Sequence, residues 1–143
     1  MGDITLNGVQ DLVVAALHAQ FPDVDVYVEI PEGGLTGPCF FVKLLSASQT
    51  QELNRRYRRV HSFDVQFVAA DGSNRAMQET AERLYGVLET IGTDGEGGKG
   101  IGMRHEIADR VLHFYVDYRF LVYRPAPDDP AMGTLKREGA IKS

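Results

Sequence analysis

Arg55-Arg56-Tyr57-Arg58-Arg59-Val60-His61-Ser62-Phe63-Asp64-Val65-Gln66-Phe67-Val68 is the stretch on which the reading of this chain turns. From Tyr57 onward it alternates. Tyr57, Arg59, His61, Phe63, Val65 and Phe67 share one face, and Val60, Ser62, Asp64, Gln66 and Val68 share the other. A period of two is the mark of a β-strand. Just upstream, residues 39–46 (CFFVKLLS) are apolar on both faces except at Lys43. That pattern reads as a strand covered on two sides. The polar residues 46–54 between the two segments read as a hairpin tip, and the tip holds the arginines.

The chain before this hairpin opens with apolar residues at helical spacing. Val9, Leu12, Val13, Ala16 and Leu17, with Phe21 one turn on, predict an amphipathic helix over 4–21, capped by Asp3 or Thr5 and ended by Pro22. Residues 24–30 alternate and predict a short strand, followed by a Pro-Glu-Gly-Gly loop. After the hairpin, Asp71-Gly72-Ser73-Asn74 reads as a turn and helix cap. A second helix is predicted over 75–91, with Met77, Ala81, Leu84, Tyr85 and Leu88 inward and Gly92 at its end. Residues 93–102 hold five glycines and read as a mobile loop. Strands are predicted over 101–108, with Ile101, Met103, His105 and Ile107 on one side, and over 111–123. Residues 124–143 are poor in apolar groups and read as a flexible C-terminal tail. The expectation is an α+β fold within a single domain of residues 1–123: a two-layer sandwich, with a largely antiparallel mixed sheet of about five strands and two helices packed on one face.

Bulk properties limit the function. The 143 residues suit one domain with a real core. Net charge is −5, yet segment 46–60 holds four Arg and one Glu and so carries +3. The remainder therefore carries −8, and charge is segregated along the chain. An acidic whole argues against general nucleic-acid binding. Cys39 is the single cysteine, so no disulfide forms within the chain and a reducing compartment is expected. The N-terminus lacks the basic start and apolar run of a signal peptide, and the longest apolar run, 12–17, is far too short to span a membrane.

Residues with catalytic potential are scattered. Cys39 lies inside an apolar strand, where a thiol is inert core. His18, His61, His105 and His113 show no paired ligand spacing, although a pairing of His105 with His113 across the second hairpin is open, with His61 nearby if the strands adjoin. Asp64 and Asp117 are strand carboxylates suited to pairing with Arg59 or Arg119. Gly95-Glu96-Gly97-Gly98-Lys99-Gly100 matches neither nucleotide-binding glycine pattern and precedes a strand. No catalytic, cofactor-binding or metal site is expected. The arginine run remains, with three readings: a solvated tip, a contact to an acidic protein surface, or nucleic-acid binding with Tyr57 as a stacking platform. Two helices cover one face of a sheet, so Phe41, Leu45, Tyr115, Leu121 and Tyr123 are expected to need a second cover, which a partner subunit would supply.

Pro38-Cys39-Phe40-Phe41-Val42-Lys43-Leu44-Leu45, Arg55-Arg56-Tyr57 leading into Ser62-Phe63-Asp64-Val65, and Val111-Leu112-His113-Phe114-Tyr115-Val116-Asp117-Tyr118 together resemble the small tail-terminator proteins in prophages of Gram-positive bacteria. The resemblance spans roughly residues 5–123. It implies a structural virion protein, not an enzyme, assembled in the host cytoplasm and carried in the virion tail. It implies a ring, usually a hexamer, that ends polymerisation of the tail tube and joins the tail to the head connector. Its partners would be its own copies, the tail tube protein and the head-completion protein, with no membrane and no specific nucleic-acid binding. Arg55, Arg56, Arg58 and Arg59 would then reach a neighbouring subunit or the tube. The alternative is a small binding module for nucleic acid or an acidic protein, using the same residues 55–59.

Overall fold

A computed structural model describes residues 5–92 and 98–123. The predicted tail, 124–143, the first half of the predicted glycine loop, 93–97, and the predicted helix start at residue 4 with its candidate cap Asp3 lie outside the described residues. Within them the fold is α+β: one five-stranded sheet, ordered β1-β2-β3-β5-β4, with both helices on one face.

Helix α1 spans Leu6–Gln20 and is capped by Thr5, whose Oγ1 accepts a hydrogen bond from Gly8 N at 2.9 Å. Such a cap contributes about 1 kcal/mol. Val9, Val13 and Leu17, one turn apart, are fully buried. Strand β1 covers only Asp25–Tyr27, shorter than the alternation over 24–30 suggests. It runs parallel to β2 through three residue pairs. A parallel neighbour requires the chain to travel back before pairing again. The chain therefore leaves the sheet after Tyr27, with Val28 and Ile30 exposed, and turns at 31–34, where Gly34 N donates to Pro31 O at 2.9 Å.

Strand β2 (Cys39–Gln51) and strand β3 (Arg56–Val68) form the long hairpin. The expected tip over 46–54 is corrected here. Residues 46–51 are strand, paired from Ser46↔Ser62 to Gln51↔Tyr57, and the turn is confined to 52–55. Their polar composition hid them, because a ladder of backbone hydrogen bonds needs no apolar side chains. Leu45 is the extra residue of a bulge in β2.

Helix α2 runs Asn74–Val87, capped by Ser73 Oγ, and stops before the expected Ile91. Residues 89–91 instead pair with 98–100: Gly100 N donates to Glu89 O at 2.6 Å and Ile91 N to Gly98 O at 3.2 Å. Strand β4 (Gly100–Ala108) and strand β5 (Val111–Tyr123) follow, joined by a turn in which Asp109 and Arg110 are left-handed. A bulge lies between Ile101 and Arg104, beside Gly102 at φ 61°. It turns Ile101 to the face opposite His105 and Ile107, against the expected shared side.

The core lies between the helices and one sheet face: Phe40, Val42, Phe63, Val65, Phe67, Leu112, Phe114, Val116 and Tyr118 meet Val13, Leu17, Met77, Leu84 and Leu88. Tyr118 Oη donates to Leu88 O at 2.7 Å and fixes the end of α2 to β5.

Candidate protein-interaction surface

The core's edge on the helical side is marked by His61 and Phe120. Beyond it three paired segments, 46–51, 56–62 and 117–123, continue as an arm. Pairing there extends to Arg56↔Tyr123, so β5 stiffens the hairpin along its whole length.

Strand alternation divides the arginine run. Arg56 and Arg58 lie opposite Tyr123 and Leu121 and share their face, away from the helices. Arg59 lies on the helical side with Tyr57 and His61, and is half-buried. Arg55 sits in the turn with φ 64°, next to Asn54 at φ 61°. Glu52 N donates to Arg56 O at 2.6 Å and closes that turn, and Glu52 forms an ion pair with Arg58. Leu53 projects from the turn, 84% exposed. The positive charge is therefore spread around the arm.

Of the apolar residues expected to need cover, Leu45, Leu121 and Tyr123 are 47%, 61% and 63% exposed. Tyr115 is half-buried, while Phe41 is 8% exposed and buried by its own chain. Leu121 and Tyr123 thus stand beside Arg56, Arg58 and Arg119 on the arm's open face, while Leu45 lies at the arm's base, in the bulge level with Ser62 and Phe63.

The centre of the open sheet face is polar. Asp64, almost buried, faces His113 (Oδ2 to Nδ1, 3.0 Å) and accepts from Gln66 Nε2 at 3.0 Å. Tyr115 Oη donates to Glu106 Oε2 at 3.1 Å, and the Arg104 guanidinium lies 4.6 Å over the Tyr115 ring. Burial and the bond to Glu106 push the Tyr115 hydroxyl pKa upward. Asp64 therefore pairs with His113, not with Arg59 or Arg119. Sequence reasoning missed this cluster, although Asp64 and His113 both fall on the open side of their alternating strands.

The histidines do not converge. His105 meets Tyr85 Oη at 2.8 Å on the helical side, His113 lies on the open side, and His61 is fully buried against Phe120. No group of three His, Cys, Asp or Glu among the described residues is placed to hold a metal ion. Burial raises the pKa of the Cys39 thiol, with the Asp25 carboxylate adding to the effect. A thiol so held is a weak nucleophile. No described helix is long and apolar enough to cross a membrane.

A family model described as phage tail terminator protein matches residues 8–130. Among solved structures the chain is similar to one from the virion of a native gene transfer agent particle, with a TM-score of 0.55. The two are 15% identical, and the match covers 82% of this chain and 96% of that one. At that identity the likeness is one of fold. A second solved structure, 17% identical over 82% of this chain and 98% of its own, has a TM-score of 0.39 and carries no argument. No curated protein matches the chain.

Proposed function

The chain belongs to the phage tail terminator family, a family of tail structural proteins, and from that premise we propose that it caps the tail tube as a ring of identical subunits. In this reading the ring, with six subunits as the expected number, ends tube polymerisation and joins the tail to the head connector. It works by shape and charge, without catalysis. Assembly takes place in the host cytoplasm and the product is carried in the virion tail.

The observation that carries the reading is the arm. The β2 strand of this three-stranded extension buries little, since its residues 46–51 are exposed. The extension nevertheless presents Leu121 and Tyr123 among arginines, with Leu45 exposed at its base. Apolar anchors with a charged rim are the composition of a protein interface. Arg55, Arg56, Tyr57, Arg58 and Arg59 would serve as that rim, against a sister subunit or the tube. Nucleic acid accounts for the charge alone and leaves the leucines unexplained.

The test combines light scattering and electron microscopy of the purified chain with a doubly reversed variant, Arg55→Glu with Arg56→Glu. Rings from the native chain and their loss in the variant are the expected result. Rings that assemble equally well after reversal remove the arginines from the mechanism.

A further inference from the structure

The outer surface of the helical layer carries a groove of about 710 Å³ between α1 and α2. Leu12, Ala16 and Val87 are half-buried along it, and Ala15, Ala19 and Gly86 form its exposed walls. No arm residue lines it. We propose that this groove receives the arm tip of the next subunit, with Leu53 as the anchor. The proposal rests on the ring reading above and names the surface that completes it.

Three observations favour a second copy as the occupant. First, Leu53 is 84% exposed in a turn closed by the Glu52–Arg56 backbone bond, so it is held outward at the end of a stiffened arm. A lone surface leucine is ordinary; one fixed at the tip of a charged projection is placed to insert. Second, the groove has room for a leucine side chain and offers it Leu12, Val87 and small residues, alongside the polar Gln20, Arg83 and Thr90. Third, the charges are complementary. Segment 46–60 carries +3. Within one helical turn of the groove stand the exposed carboxylates Asp11, Glu82 and Glu89. Among the described residues Arg83 is the one guanidinium lining the groove; it donates to Gln20 O at 2.9 Å and lies over the Phe21 ring, so it is held against its own chain. Tip and groove are different patches of one subunit. Their contact is therefore heterologous, and such contacts repeat around a closed ring.

Disulfide trapping tests the contact. Leu53→Cys and Ala19→Cys are placed in one chain; both positions are exposed, and the buried Cys39 serves as the unreactive background. A disulfide requires Cα atoms within about 7 Å, so it reports docking directly. Mild oxidation is expected to give a ladder of covalent multimers, while either single variant alone gives none. A control pairing Leu53→Cys with Gln78→Cys, elsewhere on α2, is expected to give no ladder. Leu53→Asp is expected to weaken self-association by about thirtyfold or more, as loss of an interface anchor does. Native mass spectrometry of the unmodified chain runs alongside. Rings without a ladder overturn the groove contact and leave the ring reading standing. A chain that neither forms rings nor traps overturns the ring reading itself, and the groove contact with it.

Discussion

Replacing His61 with leucine should stabilise the protein, and the gain should grow in acid. His61 is fully buried, and neither ring nitrogen has a hydrogen-bond partner among the described residues. A neutral imidazole has one N–H to donate and one nitrogen to accept. Leaving such groups dry costs about 1–3 kcal/mol in proteins. Leucine is close to histidine in volume and asks for no partner beside Phe120. His61→Leu at pH 8 should therefore gain about 1–3 kcal/mol, near 3 °C in Tm per kcal/mol for a chain of this size. The acid effect follows from the pKa. Burial holds the folded imidazole below its ordinary value, and the Arg59 charge lowers it further. Below about pH 6.5 the unfolded chain takes up a proton that the folded chain refuses, so stability falls with pH by up to about 1.4 kcal/mol per unit until the folded imidazole also protonates. Leucine removes that slope. Urea unfolding of both proteins between pH 8 and pH 5 measures the difference, which should be flat above pH 7 and widen below 6.5. A variant less stable at pH 8, or a difference that does not change with pH, would refute the reasoning.

Other perturbations separate the parts of the fold. Tyr118→Phe deletes the buried bond to the Leu88 carbonyl and should cost about 1–3 kcal/mol in thermal or chemical unfolding. Gly37→Ala would put a Cβ 2.5 Å from Ala69 O and 2.6 Å from Val68 O, backbone atoms that cannot swing aside, and should cost about 2–4 kcal/mol. Gly86→Ala is its counterpart: nothing lies within 4 Å, the position is inside α2, and a gain of about 0.5–1 kcal/mol is expected by calorimetry. Arg58→Ala breaks an exposed pair with Glu52 and should change folding stability by less than about 1 kcal/mol, while weakening assembly measured by sedimentation.

How much of this was legible in the sequence depends on what each feature requires. The core faces of β3 and β5 were readable, because Phe63, Val65, Phe67, Leu112, Phe114 and Val116 alternate without interruption and all are buried. The extent of β2 was not. Residues 46–51 resemble a loop in composition and become strand only because β3 supplies the ladder. The end of α2 was ambiguous, since Leu84, Leu88 and Ile91 are buried whether the helix continues or the chain turns back to pair with 98–100. Ile101 changed face through a bulge that no periodicity announces. The arginine cluster was plain as charge, but its division between two faces needed the register. The groove between α1 and α2 depends on how two distant segments pack, and no local pattern encodes it.

The sign of the charges also bears on the symmetry of assembly. A two-fold contact of arm against arm would bring together two segments of +3 each. A head-to-tail contact instead sets +3 against a body that carries −8 in all. Like charges across an interface are costly and opposite charges steer association, so the segregation disfavours isologous arm pairing and favours the heterologous contact that rings need. Salt distinguishes the two. The Debye length is about 30 Å at 0.01 M and about 3 Å at 1 M ionic strength. Association of arm with acidic body should weaken steadily across that range in sedimentation equilibrium, with Leu53 and the other apolar groups left to hold what remains. Arm-to-arm pairing would strengthen, because its repulsion would be screened. Self-association that rises with salt would therefore contradict both the head-to-tail geometry and the role given to the arginines.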